Sequence, residues 1–403
     1  MSVKLPEAIE KFTTDADQPL RQGAYRSALR DARLAAILGA SLGILFSICF
    51  VTGLYSHLQQ NPVSWLPIQP RPAGFYRLSQ GLHVVAGIAS IPVLIAKLWL
   101  VWPRFVAFPV AKRAGQLVER IGLFPLVGGG IFMTFSGVAN IAQWYPWKFS
   151  FTASHYWMAW VTMGAIVAHV GSKWVIARRS LARRSRRPAL AAADPVLGTT
   201  AETPGDGLSR RGLLTTIAAA SGLLTLTTIG QTVRPLRRLG LLAPRDPAGP
   251  GGRPVNRGAS NAGVVDLASS PAYRLEISGR VARPVSLTLD ELRSLPAHDT
   301  VLPIACVEGW SYSAPWSGVR VRDLLAMAGA EPDRTVLLES LEPEGTYRTS
   351  TLNAAQAADR DTLLATHLDG EPLALDHGFP CRLIAPNRPG VLQTKWVTKV
   401  VVV

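Results

Sequence analysis

Four stretches in the first half of the chain, residues 34–56, 79–102, 121–144 and 155–177, carry no charge beyond Lys97 and Lys173. Each reaches the roughly 20 residues needed to cross a hydrocarbon core. In lipid every backbone polar group must be satisfied within the protein, so such stretches fold as helices. Four buried helices of a soluble protein would be the alternative, but four such runs within so short a length of chain argue against it. A fifth segment, 212–230, is shorter, rich in Thr and Ala, and bracketed by Arg210, Arg211 and Arg234. We read it as a further spanning helix.

The flanking charges orient these helices. Arg21, Arg26, Arg30 and Arg33 precede the first, while Arg104, Lys112, Arg113 and Arg120 separate the second from the third. Arg178, Arg179, Arg183, Arg184, Arg186 and Arg187 follow the fourth, whereas the loops 57–78 and 145–154 hold only Arg71, Arg77 and Lys148. Basic loops stay cytoplasmic, so the N-terminus is expected inside and the two sparse loops outside. The expected order is a cytoplasmic segment 1–33, a four-helix membrane domain 34–177 and a basic cytoplasmic linker 178–211. A fifth helix 212–230, an extracytoplasmic linker 231–254 and an exported domain 255–403 follow. The protein would be multi-pass in the cytoplasmic (inner) membrane, its C-terminal domain periplasmic or extracellular.

The net charge of +15 invites a nucleic-acid reading, but its distribution does not support one. Residues 1–244 hold 26 Lys+Arg against 9 Asp+Glu, and residues 245–403 hold 16 against 18. The basicity belongs to the membrane flanks, and no nucleic-acid partner is expected. Three cysteines make no disulfide framework. Cys49 lies inside an apolar run, and Cys306 and Cys381 stand far apart in the C-terminal part, where pairing remains open.

All four histidines before residue 200, His57, His83, His155 and His169, lie in or beside the apolar segments. Histidine in hydrocarbon is costly and usually pairs, ligates or lines a path. A weak internal repeat sets Thr52-Gly53 beside Ser136-Gly137, and His83 beside His155. A b-type haem needs two axial imidazoles on facing helices, and His83 with His155 is the preferred pair. His57 is the alternative ligand. His169 lies about 21 Å deeper than His155 at about 1.5 Å per residue, a candidate second haem or quinone position. Lys97 stands at the corresponding depth in the second helix. Interfacial histidines with no ligand role are the competing reading.

Beyond residue 255 the pattern changes to short strands and helices. Residues 273–279 alternate as a strand, 286–292 read as a short strand entering a capped helix, and 301–307 as another strand. Residues 319–327 open a helix, and 335–340, 383–385 and 396–403 read as strands. Little regular βα alternation implies an α+β domain. The fold class is thus an all-α transmembrane bundle followed by an α+β domain.

Several separated motifs lie in this region. They are Ile304-Ala305-Cys306-Val307-Glu308-Gly309-Trp310-Ser311, Pro315-Trp316-Ser317-Gly318, His377-Gly378-Phe379-Pro380-Cys381-Arg382, and Lys395-Trp396. Together they resemble the signature of the sulfite-oxidase-like molybdopterin-dependent oxidoreductases, with the Cys306 segment most similar to bacterial periplasmic protein-methionine-sulfoxide reductases. The membrane half loosely resembles cytochrome b561-type modules. The family resemblance implies a molybdenum cofactor, with Cys306 as the metal's thiolate ligand, a soft donor suited to such a centre. It also implies Asn256, Arg257, Trp310, Arg382 and Lys395 as cofactor-binding residues. Tyr347 is a candidate substrate-side donor, and Arg382 joins Cys306 and Tyr347 in the catalytic set.

The expected activity is oxygen-atom transfer, a sulfoxide or similar oxide being reduced with electrons from the quinol pool through haem b. Alternatives are oxidation of sulfite or another substrate, or a haem-free anchor served by a separate donor. A dianion such as sulfite calls for concentrated positive charge, and near Cys306 only Arg320 and Arg322 follow closely, with Arg348 as a further candidate. Ser209-Arg210-Arg211-Gly212-Leu213-Leu214 resembles a twin-arginine (Tat) export signal, which would suit a domain that takes up its cofactor before export.

Overall fold

A computed structural model describes residues 27, 29–106, 114–182, 209–229, 234–243 and 249–403. Most of the N-terminal segment, the linker arginines from Arg183 to Arg187, and part of the segment 231–254 lie outside the described residues. The apolar runs fold as α1 (Ala32–Gln60), α2 (Phe75–Val106), α3 (Ala114–Ile141), α4 (Phe151–Ala182) and α5 (Arg210–Ile229). Each of the first four extends beyond its run at one or both ends, because flanking polar residues continue the helical hydrogen bonding outside the apolar core. Four helices among the described residues are long and apolar enough to cross a membrane: Ala32–Gln60, Phe75–Trp102, Ile121–Ile141 and Arg210–Ile229. Helix α4, expected to span as well, is not among them, since its Trp, Tyr, His and Lys residues dilute its hydropathy. It still exposes Trp157, Val161, Val167, Trp174 and Val175, as the other helices expose Ile44, Val51, Ile95, Phe124 and Leu223. Apolar surface of this extent suits lipid far better than water.

The described residues divide into two compact units, one drawn from Met1–Phe50 and Val85–Thr225, the other from Val51–Val84 and Leu226–Val403. In the first unit, Leu34 and Leu38 of α1, Val93 and Leu100 of α2, and Ile217 of α5 form a buried cluster. Asp31 Oδ1 accepts from Leu34 N at 2.8 Å, an N-terminal cap for α1, and the same carboxylate pairs with Arg210 Nε at 2.7 Å. Ser221 Oγ donates to the Ala89 carbonyl at 2.8 Å, so α5 is tied to α1 and α2 by polar contacts as well as packing. Helices α3 and α4 pack along each other.

The second unit contains the α+β domain, built on two five-stranded sheets. Its strands are β1 (Leu275–Gly279), β2 (Val285–Leu287), β3 (His298–Ala305), β4 (Ser311–Arg320), β5 (Val336–Ser340), β6 (Thr349–Leu352), β7 (Leu363–Leu368), β8 (Glu371–Pro372), β9 (Arg382–Ile384) and β10 (Val397–Val402). The first sheet runs β2-β1-β10-β5-β6, with β1 parallel to the C-terminal β10 and the other pairs antiparallel. The second runs β3-β4-β7-β8, with β9 also paired to β7. Thr288 and Glu291 form the expected capping box at the helix Leu289–Ser294. Leu275, Ile277, Leu338, Val397 and Val400 fill one core, and Trp316, Leu302, Ala314, Leu363 and Ile384 another.

Strand β4 is unforeseen by the pattern reading, which took Pro315-Trp316-Ser317-Gly318 only as a motif. It lies at the centre of the second sheet, between β3 and β7. Gly318 makes the close approach possible, since a Cβ there would sit 2.1 Å from the Leu364 carbonyl oxygen. The clash is with backbone, so Gly318→Ala is expected to cost about 3 kcal/mol or more. The midpoint of thermal unfolding of this domain should fall by roughly 10 °C; an unchanged midpoint would contradict the packing described.

Candidate active site

Strand β3 ends at Ala305, and Cys306 occupies the turn that leads to β4. Cys306 N donates to the Trp310 carbonyl at 2.9 Å, and Gly309 N donates to the Cys306 carbonyl at 3.1 Å. Gly309 holds a φ of +91°, the left-handed region glycine enters without strain. Cys306 is buried, and Trp310 donates its Nε1–H to Glu308 Oε2 at 2.8 Å. The Trp310 and Tyr312 rings stack with centroids 6.0 Å apart. No disulfide joins Cys306, Cys381 and Cys49. Cys381 instead sits in the core beside Tyr273 Oη at 3.3 Å, its thiol pushed up to about 12 by burial.

Cys306 opens onto a cleft whose lining includes Asn256, Trp310, His377, Arg382 and Lys395. Five of the residues singled out from sequence therefore converge, with His377 as a sixth wall. The cleft carries two cationic side chains, Arg382 and Lys395. Arg382 donates Nη1–H to the His377 carbonyl at 2.9 Å and Nη2–H to the Gln393 carbonyl at 3.2 Å, leaving its buried Nε without a partner. Burial draws its pKa down to about 10. Lys395 donates to the Arg257 and Asp376 carbonyls. Burial first, and then repulsion from Arg382, draw it down to about 7. A buried and a half-buried cation held by carbonyl oxygens, with no carboxylate bonded to either among the described residues, form a site suited to an anion.

His377 adds a pH dependence. Its Nε2–H donates to the Pro250 carbonyl at 2.6 Å, and burial lowers its pKa from 6.5 to about 4. Between those values the unfolded chain carries the extra proton and the folded one does not, so stability rises with pH across this window. Acidification from pH 6.5 towards 4 is expected to destabilise the domain, and His377→Gln should flatten that part of the profile in denaturant unfolding. An identical acid slope in the variant would refute this assignment.

Two expected site residues lie elsewhere. Arg257 directs Nη1 to Glu342 Oε2 at 2.9 Å and does not line the cleft, although its carbonyl receives Lys395. Tyr347 is half-exposed and donates its hydroxyl to Gln60 Oε1 at 3.0 Å. The phenol that does line the cleft is Tyr312, which burial keeps protonated. Arg348 reaches Glu339 at 3.7 Å and Arg320 reaches His298 Nδ1 at 2.7 Å, so neither joins Arg382 in the cleft.

The histidines separate into distinct settings. His83 Nδ1 lies 3.1 Å from Thr52 Oγ1, and His155 Nδ1 lies 2.8 Å from Ser136 Oγ. His57 contacts Asn61 Nδ2 at 3.3 Å, and the His169 carbonyl accepts from Ser172 Oγ at 2.8 Å.

Pattern reading missed a set of residues at the end of the first hairpin. Residues 51–84 belong to the same compact unit as the sheets, and they clamp both loops that shape the cleft. Asn387, with φ +52°, is the hub. Its Oδ1 accepts from Tyr55 Oη at 3.0 Å and Tyr76 N at 2.9 Å, and its Nδ2 donates to the Gln69 carbonyl at 2.8 Å. Its own carbonyl accepts from Gln59 Nε2 at 2.9 Å, and its N–H donates to the Ala73 carbonyl at 2.9 Å. On the Cys306 loop, Gln80 Nε2 donates to the Val307 carbonyl at 3.2 Å, while Arg77 reaches Ser311 Oγ and Ser313 Oγ at 3.0 and 2.9 Å. A Cβ on Gly309 would meet Val84 Cγ1 at 2.9 Å. The only sequence signal was the polar run Gln59, Gln60, Gln69 and Gln80 around an apolar hairpin.

Residues 262–403 match the family described as the oxidoreductase molybdopterin binding domain. Among curated relatives, mitochondrial sulfite oxidase of Drosophila melanogaster is 36% identical over 155 residues, 32% of this chain and 27% of that protein. YedZ1 of Azospira oryzae, named as a protein-methionine-sulfoxide reductase subunit, is 38% identical over 133 residues, 33% of this chain and 48% of that protein. Nitrate reductase [NADH] 1 of Oryza sativa subsp. japonica is 33% identical over 172 residues, 35% of this chain and 19% of that protein. The chain thus spans less than half the length of each of these relatives. Its C-terminal part is a molybdopterin-binding oxidoreductase domain, joined here to helices apolar enough for a membrane.

Proposed function

We propose that the chain is a membrane-bound molybdenum oxidoreductase that reduces a sulfoxide or similar oxide on the extracytoplasmic side, using quinol-derived electrons delivered through haem b. The observation that carries this reading is the convergence of a buried thiol, Cys306, with a buried cation, Arg382, and a half-buried one, Lys395, on one cleft. The residues fit a phosphate-bearing pterin with a soft metal, because the orphaned Arg382 Nε and the strained charge of Lys395 both call for an anion. Cys306 would bind the metal through its thiolate, Arg382 and Lys395 would hold the phosphate, and Asn256 would bond the pterin. When bound, the cofactor supplies two-electron oxygen-atom transfer. The chain's own part is to exclude water with the stacked Trp310 and Tyr312 and to offer the protonated Tyr312 hydroxyl to a substrate oxygen.

Reduction of a neutral oxide is favoured over sulfite oxidation by where the arginines go. Arg320 and Arg348 are engaged by His298 and Glu339, so the cleft does not gather the extra positive charge a dianion requires. For electron supply, His83 and His155 are the haem ligands we favour, with His57 as alternative and His169 near a second haem or a quinone. The helix order and basic loops support an inner-membrane, multi-pass arrangement with the boundaries given above and export by the twin-arginine route. The test is metal, pterin and haem analysis of the purified chain, then reduction by a quinol and reoxidation by methionine sulfoxide. Reoxidation by the sulfoxide is the expected result; reduction of the protein by sulfite, with no response to sulfoxide, would reverse the assignment.

A further inference from the structure

One wall of the cleft comes from outside the family match, which begins at residue 262. Pro254, Val255 and Asn256 line it together with Cys306 and Tyr312. The short segment that carries them is held at both ends and in the middle, each time on a residue of the cleft or beside one. Ahead of it, the Pro250 carbonyl accepts from His377. Behind it, the Arg257 carbonyl accepts from Lys395, and Ala259 N donates to Asp376 Oδ1 at 2.8 Å. In the middle, Arg253 forks onto Asp369 in the turn between β7 and β8. Its Nε donates to Oδ2 at 3.1 Å and its Nη2 to Oδ1 at 2.8 Å. Nη1 reaches the Ser313 carbonyl at 3.3 Å, and the guanidinium lies 5.1 Å from the centroid of the Tyr312 ring.

The backbone on either side is suited to bending. Gly251 and Gly252 hold φ of +64° and +70°, and a Cβ on either would meet open space. Glycine serves there for its backbone freedom, and packing makes no demand for it. Gly258 stands at the other end, where a Cβ would lie 3.0 Å from Asp376 Oδ1. Between these glycines only Pro254 is buried. Segments with few buried apolar contacts open locally at small cost, so the polar grip of Arg253 decides how often this one lifts. Meanwhile Cys306, His377 and Arg382 are buried as the segment stands. A large ligand that is to reach them needs a wall that gives way. We propose that residues 253–257 are a flap over the cofactor cleft, opened to admit a phosphate-bearing pterin and latched shut by Arg253 on Asp369. Loading then precedes latching. The flap rests on the pterin reading of the cleft, and the experiment separates the two.

The full chain is purified from membranes as wild type, Arg253→Ala, Asp369→Asn and the double variant. Pterin release into buffer is timed by its fluorescence after oxidation. Hydrogen exchange is followed peptide by peptide, with circular dichroism as the folding control. Wild type should hold pterin and release it slowly. Each single variant should release it about fivefold faster, the scale of a well-formed ion pair at this exposure. The double variant should be no faster than either single one, because the latch is already lost in both. Exchange should rise in peptides covering 250–259 and stay unchanged in β3 and β4. Release at the wild-type rate in both single variants overturns the flap. So does faster release whose change in exchange is absent from 250–259 or spread across the sheets. A wild type that holds no pterin overturns the cofactor reading and the flap with it.

Discussion

Cys306→Ala abolishes turnover while the pterin stays bound: that is the expected result if Cys306 is the metal's thiolate. The side chain removed is small and its loop is held by other groups, namely the Trp310 carbonyl, Gln80 and Arg77. The domain should therefore fold and keep the cationic pocket of Arg382 and Lys395 that suits the pterin phosphate. Activity should drop by at least about a thousandfold, comparable to losing an essential catalytic group, with pterin content near wild type. Wild-type turnover in a metal-replete variant would remove Cys306 from the mechanism.

The second large effect is expected at Asn387, which does not itself line the cleft. Asn387→Ala removes, from a buried position, the acceptor of Tyr55 O–H and Tyr76 N–H and the donor to Gln69. Each buried partner left unsatisfied costs about 1–3 kcal/mol, and alanine tolerates the left-handed backbone less well than asparagine. A total near 4 kcal/mol is expected in denaturant unfolding. The loop it anchors carries Gly390 into the cleft, so molybdenum retention should fall as well. A variant with unchanged stability and metal content would show that the hairpin clamp does not support the site.

The helices and the cysteine loop were legible because their signals are local. Long uncharged runs specify helices wherever lipid is the solvent, and the Thr288/Glu291 box marks a helix start within a few residues. Strand β4 escaped because Pro315 and Gly318 are residue types depleted in strands and read as turn residues, although its burial alternates from Tyr312 to Gly318. Arg257 and Tyr347 were plausible by type and place in the chain, but side-chain direction depends on Glu342 and Gln60, which no local pattern names. Asn387 was invisible for a similar reason. Its side-chain partners Tyr55 and Tyr76 lie 332 and 311 residues upstream, in a hairpin read as part of a haem-bearing membrane domain. The Thr52/His83 and Ser136/His155 contacts lie between these extremes: the repeat was visible, and its hydrogen bonds were not.

The central claim is that the cleft at Cys306 holds molybdenum through that thiolate. Molybdenum K-edge X-ray absorption on the purified chain tests it directly, comparing wild type with Cys306→Ala. The account predicts a molybdenum-containing wild type whose metal loses one sulfur neighbour in the variant. An unchanged sulfur shell, or a wild-type protein that binds no molybdenum, would contradict it.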